Sequence, residues 1–592
     1  MSISTGDIIS RIYGNFRGVD FRGEEINLVR SPDSLNVWKD YKETESIRTR
    51  PGLKLDVSFN ETVYGVYFFN GEKIIHSGTN LYKVSANGSK TVLYSRVKAA
   101  ESNAFIYDNI WYFKDGANYL QYDGTTIKDV VGYIPTTTIG RRPAGGGEKH
   151  EDVNMLSRHR INTFLADGED IDIVDEEGNV TGTERKGSKE YYLDVMNISG
   201  NESVIVKVND EMLNTDHFTV NYAEGKITFK EAPLAPDTDG QDNVVIQFGK
   251  VYSYDENGNS INIASKYRSI IEKCTLLQVF DNRVFISGNP EHPNMVWHCS
   301  LNDPTYFSDL DYYQEGMDSA QIKGMVAGNN ALWVFREPSE ANTNVFYHTP
   351  AIEEEHGKIY PSVHSSITIG CVGKAINFND DIIFFSERGM EGISGDVTTE
   401  QVAAHRSSLV DRKMIAEPSY KNMRLEEWEG YLLVFIGNKV FLADSRAVFT
   451  NENHIEYEWF YWELEKNVTC TRVKDGVLYI GTEDGVYTLT DTTSNIESYW
   501  VTPKDKFKTP HKLKTTNKRG CVVEATGDIS IYAKVEDTDF EFIGKYENIK
   551  DYFVSRIKRK KFKDIQLKFY SNTRFSLETA TLECFIGGYI KR

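Results

Sequence analysis

Apolar positions in this chain come in short runs, each closed by Asn, Asp or Gly. The stretch "FDNRVFISGNP" (280–290) shows the unit: an apolar strand, the dipeptide Asp281-Asn282, a stronger apolar strand, then a looser Gly turn. The same shape begins near Gly65, Asn103, Thr275, Lys323, Lys374, Arg424 and Thr471. The tight turns fall at Asn70-Gly71, Asp108-Asn109, Asp281-Asn282, Asn329-Asn330, Asp380-Asp381, Glu429-Gly430 and Asp475-Gly476. A two-residue hairpin turn needs positive φ at both central residues, which Asn, Asp and Gly tolerate best. Three strands in meander, repeated about every 40–50 residues where uninterrupted, are the mark of a β-propeller blade. The expected fold is therefore all-β: a propeller of about seven blades, with six or eight as alternatives. A pair of irregular β-sandwiches is the competing arrangement. Neither a WD dipeptide pattern nor an Asp-box is present.

The repeat breaks between Asp123 and Thr275. After the Gly145–Gly147 run the pattern changes, with strand-like stretches at 190–195, 203–210, 217–236 and 243–254. This reads as an antiparallel β-domain inserted between the second and third blades. From Val501 a further β-domain follows, expected to be a sandwich. The chain divides into a segment 1–60 that joins the ring, blades over 61–143, the insert 144–255, blades over 256–500 and a C-terminal β-domain 501–592. No long stretch has helical period.

Composition agrees: 34 Tyr and 31 Phe accompany 45 Gly and only 15 Pro, the usage of β-structure. No apolar run approaches the roughly 20 residues of a membrane span. The first residues carry no apolar core of a signal peptide. Six cysteines lie far apart and none forms a C-x-x-C pair. That implies buried, reduced thiols and a cytoplasmic place of assembly.

Charge adds more. The formal net charge is −20, which disfavours gripping nucleic acid with the whole surface. The distribution is uneven. Residues 501–592 carry 20 Lys/Arg against 12 Asp/Glu, a net of +8 that leaves −28 on the rest. Two clusters supply it: Lys504, Lys506, Lys508, Lys512, Lys514, Lys518 and Arg519, then Arg556, Lys558, Arg559, Lys560, Lys561 and Lys563. These are the interface candidates. They would dock on an acidic neighbour or touch DNA, unless they form a solvated face with no partner. The acidic run 167–178 reads as a solvated loop, with calcium as the lesser alternative.

No catalytic constellation is legible. G-x-S-x-G and H-E-x-x-H are missing, and "GCVGKA" (370–375) places Ala375 where a phosphate-binding loop needs Ser or Thr. His298-Cys299 could suggest a reactive thiol, but a blade-core position explains it better. No enzymatic activity, cofactor or metal is expected. Trp297, Trp333, Trp428, Trp459 and Trp462 would stack on sugars in a glycan- or receptor-binding propeller, the alternative function; in strands they would pack in the core. A propeller scaffold for protein partners is the third option.

One resemblance covers the chain from end to end. Pro32, Asp33, Asn36 and Trp38 followed by Arg50, Pro51 and Gly52 resemble the N-terminal signature of bacteriophage and prophage virion structural proteins. Further similar stretches are 281–297, 303–313, 384–394, 514–521 and the closing 587–592. Members are described as virion structural, packaged-DNA stabilisation or tail proteins, similar to the propeller-bearing hubs and nozzles of short phage tails. The resemblance implies a ring, commonly a hexamer, in the tail or at the head–tail junction. It would contact a portal, adaptor or other tail proteins and could carry fibres, with genomic DNA passing through. An acidic lumen would let phosphates slide by without binding.

Overall fold

The computed structural model describes residues 8–42, 46–249, 252–254, 260–340, 343–353, 357–395, 399–451, 454–492, 495–558 and 561–589. The chain forms two compact units. One comprises 1–101, 323–349 and 363–592; the other comprises 102–322 and 350–362.

The first unit holds blades 1, 5, 6 and 7 and most of blade 4. Blade 1 is a four-stranded meander of Val63–Phe69, Glu72–Ser77, Asn80–Val84 and Lys90–Ser95. Blade 4 pairs Ile322–Gly328, Ala331–Arg336, Val345–His348 and Ser362–His364. Blade 5 runs from Ala375–Phe378 through Asp381–Ser386 and Gly389–Ser394 to Val402–His405. Blade 6 contains Arg424–Trp428, Tyr431–Ile436, Lys439–Asn451 and His454–Glu463. Blade 7 takes Cys470–Lys474, Val477–Gly481 and Gly485–Thr490 from one place in the chain. Its fourth strand is Gly52–Ser58, which pairs antiparallel with 485–490.

Each blade thus has four strands, one more than the meander read from sequence. The second strand is the most buried: Ala331–Arg336 and Tyr431–Ile436 are buried at every position. Covered on both faces, such strands read as continuous apolar runs without alternation. Apolar clusters fill the spaces between successive blades. Val57, Val66, Ile75 and Val486 lie between blades 7 and 1. Trp333, Phe335, Ile382 and Phe384 lie between blades 4 and 5. Phe385, Met390, Val434 and Phe441 lie between blades 5 and 6.

Six of the seven turn pairs fall where the sequence places them, with positive φ at both residues. The exception is blade 5. Its turn is Asn379 (φ 50°) and Asp380 (φ 63°), while Asp381 already pairs with Phe378 in the ladder. Three consecutive turn-forming residues left the register open, and the strand pairing selected one.

The region after 500 is not a free-standing domain. Lys512–Val535 bends through several bulges. It pairs with Phe575–Tyr589 and, on its other half, with Ile565–Ser571. Ile8–Tyr13 adds to Phe575–Tyr589, and Ile47–Thr49 pairs with that strand too. Ile47–Thr49 also pairs with Val37–Lys39, which meets blade 6 at Tyr461. One 15-stranded sheet therefore runs from the C-terminal region into blade 6. A shared core joins Trp38, Trp428 and Trp462 with Trp500, Val523, Phe569 and Leu577. The boundary drawn at 501 is corrected accordingly, and residues 1–60 contribute to this sheet as well as to blade 7.

The second unit holds blade 2 (Asn103–Tyr107, Ile110–Lys114, Tyr119–Tyr122, Ile127–Asp129) and blade 3 (Leu276–Phe280, Arg283–Ser287, Met295–His298, Tyr312–Gln314). Tyr112, Tyr119, Ile286, Trp297 and Phe307 pack between them. Between these blades in the chain lies the inserted β-domain. Its six-stranded sheet opens at Thr136–Arg141, so it starts before residue 144. Phe164, Tyr191, Val206, Phe229 and Ile246 form its own core. A helix, Ile263–Glu272, follows the insert; the sequence reading had no helix there.

The acidic run 167–178 is a hairpin strand and turn. Glu169–Val174 pairs with Val180–Lys186, and Asp175 accepts the backbone N–H groups of Glu177 and Asn179 to close the turn. Among the described residues no group of His, Cys, Asp and Glu is arranged to hold a metal, and no helix is long and apolar enough to cross a membrane.

Candidate functional site

The residues behind the sequence resemblance build a joint. Asn36 adopts a left-handed φ of 55°, which turns its side chain inward. Its Oδ1 accepts from Arg50 Nε at 2.9 Å and from the Glu463 N–H at 2.8 Å, and its Nδ2 donates to the Glu497 carbonyl at 2.8 Å. Arg50 is almost fully buried and donates to the carbonyls of Pro51 and Glu463 and to Glu465. Trp38 stacks on Trp428 and meets Trp462 edge-on. The motif thus fastens the N-terminal strands to blade 6. The polar groups of Asn36 and Arg50 are committed to the fold, while the Trp38 indole N–H is buried without a hydrogen-bond partner among the described residues.

The basic candidates divide into three groups. In the first, the charge is consumed within the chain. Lys504 pairs with Asp537 at 2.8 Å, and Lys506 with Glu25 at 2.5 Å. Lys514 is fully buried and donates to the carbonyls of Thr509 and Lys563, and burial pushes its pKa down. These three were expected to face a partner; the structure assigns them to internal contacts instead. Lys512 lies over the Tyr589 ring, 5.5 Å from its centroid. The sequence gave no signal for these contacts, since Lys506 and Glu25 lie 481 residues apart.

The second group stays available. Lys508, Arg556, Lys558, Lys561 and Lys563 are exposed, and among the described residues none of their side chains enters an ion pair. Arg556 and Lys558 rim a pocket of about 130 Å³. Ala533, Ile557, Phe562 and Ile565 give it a buried apolar floor. The third group lies outside the described residues: Arg559 and Lys560 as a whole, and the side chains of Lys518 and Arg519. Between them Gly520 has a φ of 71°, and a Cβ there would meet the Ser555 carbonyl oxygen at 2.2 Å. This close approach holds the two basic segments against each other.

The remaining chemical candidates are structural. Cys299 is buried, accepts the Val284 N–H, and burial pushes its thiol up to about 12. Such a thiol is not a nucleophile at neutral pH. The five tryptophans proposed to stack on sugars are all buried, Trp428 being the most exposed at 9%, so none presents a face to a glycan.

One cluster escaped the sequence reading. In blade 5, His405 Nδ1 faces Glu391 at 3.3 Å and Nε2 faces Asp411 at 2.5 Å, while Ser407 donates to Asp411 and Arg388 pairs with Glu391. Burial alone would lower the histidine pKa, but the two carboxylates outweigh it and raise it to about 10. With both nitrogens donating to carboxylates, the imidazolium has no free base position. It ties strand to helix and is not a general base.

No family model matches the chain, and no curated protein matches it. Among solved structures it is similar to BamB from Moraxella catarrhalis, at 10% identity and a TM-score of 0.31, over 74% of this chain and 97% of that one. The WD40 domain of Neurospora crassa Pan2 follows at 7% identity and a TM-score of 0.25, over 75% and 97%. An exo-β-1,3-galactanase from Phanerochaete chrysosporium matches at 8% identity and a TM-score of 0.21, over 56% and 98%. At such values these likenesses carry no functional argument.

Proposed function

We propose that the protein is a structural component of a phage virion, assembling as a closed ring, a hexamer in the simplest case, of the tail hub or nozzle or of the head–tail connection. In this reading it extends the DNA conduit and docks portal, adaptor or other tail proteins. The observation that carries it is the cationic face of Arg556, Lys558, Lys561 and Lys563, which makes no ion pair among the described residues, with Arg556 and Lys558 beside an apolar-floored pocket that Glu541 also lines, on a chain whose net charge is −20. Such a face suits an acidic protein partner, and other copies of this chain are acidic. The end-to-end sequence resemblance supplies the virion context. The motif residues fit a scaffold role, since Asn36 and Arg50 spend their polar groups on a joint.

A closed ring places the same contact at every interface, so weak ion pairs of about 0–1 kcal/mol each act together. The test is mass photometry of the wild type and of R556E/K558E/K561E/K563E, with circular dichroism confirming the fold. Loss of assembly in the variant, reproduced in part by high salt in the wild type, supports the reading. A wild type that stays monomeric at micromolar concentration, or a variant that assembles normally, overturns it. Tight duplex-DNA binding lost in the variant would assign the face to DNA and reject the low-friction conduit.

A further inference from the structure

The inserted domain carries a two-stranded ribbon, Glu169–Val174 with Val180–Lys186, that pairs with no other strand. Every residue of its first strand and nearly every residue of its second is exposed. A lone two-stranded ribbon is marginal in water unless something covers a face. This one leaves Ile171 36% exposed, Ile173 48%, Val174 58% and Val180 59%. Ile171 and Ile173 share one face, because strand side chains alternate. Across the ladder they oppose Glu184 and Gly182, so Ile173 meets no opposing side chain. An apolar row left open this way marks a contact surface.

Charge identifies the occupant. Residues 167–186 hold eight carboxylates (Asp167, Glu169, Asp170, Asp172, Asp175, Glu176, Glu177 and Glu184) against only Arg185 and Lys186. Among the described residues of 556–563, Arg556, Lys558, Lys561 and Lys563 are exposed cations and none is a carboxylate. The first surface offers exposed aliphatic side chains among acids. The second offers a pocket with an apolar floor among bases. We propose that the acidic ribbon of one copy seats on the face formed by Arg556, Lys558, Lys561 and Lys563 of a second copy, with Glu176, Glu177 and Glu184 against the cations and the Ile171–Ile173 row over the pocket. The two surfaces differ, so the contact is head-to-tail and builds a ring if the rotation closes. This rests on the reading that the cationic face joins copies of the chain, and it names the element that fills that face.

The experiment is a charge swap in the full chain, read by sedimentation and mass photometry. E176K/E177K/E184K avoids Asp170, which pairs with Arg185, and Asp175, which closes the turn. It is expected to weaken self-association at least tenfold, as is K558E/K561E/K563E. Mixing the two variants should restore assembly in alternation, because each then meets an oppositely charged surface of the other at both of its contacts. Combining both sets in one chain should restore assembly. I171S/I173S, which changes no charge, should also weaken association while the circular dichroism spectrum stays that of the wild type. Cross-linking of a mixture of isotopically light and heavy chains should join the ribbon to the basic segment between differently labelled copies.

If the ribbon variants assemble as the wild type while the basic-face variant does not, the ribbon is not the occupant, and the proposed role of the face survives. If neither charge variant changes assembly, both readings fall. Cross-links confined to chains of one label would make the contact internal and overturn the proposal, as would DNA-dependent association.

Discussion

Two cationic regions of this molecule use the same chemistry in opposite ways. Arg50 is buried, and its guanidinium is spent on carbonyls, Asn36 and Glu465. Arg556, Lys558, Lys561 and Lys563 are exposed, and their side chains make no ion pair among the described residues. The first region can hold strands together because its donors are matched one by one. The second can bind something else because its donors are not. A cation count along the sequence does not separate these cases; the number of internal acceptors within reach does.

The comparison breaks most sharply at the joint. Trp38→Ala removes a ring packed against Trp428 and Trp462 and should cost about 3–5 kcal/mol, read as a lower midpoint in urea denaturation. Arg50→Ala removes one of the two donors to Asn36 Oδ1 and the guanidinium donor to the Glu463 carbonyl in a buried place, and should cost about 3 kcal/mol. Arg50→Lys should recover little of this, because an ammonium lacks the planar fork. If Arg50→Ala unfolds at the wild-type midpoint, the joint is dispensable.

Lys514 is an intermediate case, a cation from a basic cluster that behaves like Arg50. Lys514→Met keeps the stem but removes the ammonium donor from the Lys563 carbonyl and from the Thr509 carbonyl, which keeps the Lys512 N–H, and should cost about 1–3 kcal/mol. A neutral outcome would return Lys514 to the surface group.

A smaller effect comes from the His405 cluster. Its folded pKa of about 10 lies above the unfolded value of roughly 6.5. The folded state holds the proton more tightly, so this contribution is full below about pH 6.5 and is lost as pH rises toward 10. His405→Gln should flatten the alkaline fall in stability measured across that window. A wild type and variant with parallel pH profiles would show that Glu391 and Asp411 gain nothing from the imidazolium.

The smallest expected change in stability is at the exposed face. R556E/K558E/K561E/K563E should shift the unfolding midpoint by no more than about 0.5 kcal/mol equivalent, while its effect appears in self-association. A large loss of stability would mean that these side chains, like Arg50, serve the fold.

The blade hairpins were legible because positive φ restricts the turn residues so severely. Asp281-Asn282 and Asp475-Gly476 announce themselves. The fourth strands were not legible, because they are short and partly solvated: Ile127–Asp129 and Tyr312–Gln314 show no apolar run. The helix Ile263–Glu272 had a signal in Tyr267, Ile270 and Ile271 and in the Arg268–Glu272 ion pair, but it spans only ten residues. The continuity of the C-terminal sheet with blade 6 was out of reach. It depends on pairs such as Ser576 with Arg48, which no local pattern encodes. For the candidate interface, charge marks the basic segments. It could not sort Lys514 from Lys558, since that depends on which carbonyls and carboxylates the fold brings near.

The pairing of Gly52–Ser58 with Gly485–Thr490 sets a clock for the growing polypeptide. The early strand leaves the ribosome long before its partner exists. At roughly 5–20 residues per second, about 430 further residues take on the order of 20–90 s to appear. Through that interval the strand's ladder edge has no native partner and is open to pairing with neighbouring nascent chains. The yield of usable subunits should therefore depend on the speed of translation and on chaperone occupancy of the first 60 residues, even where the finished protein is stable.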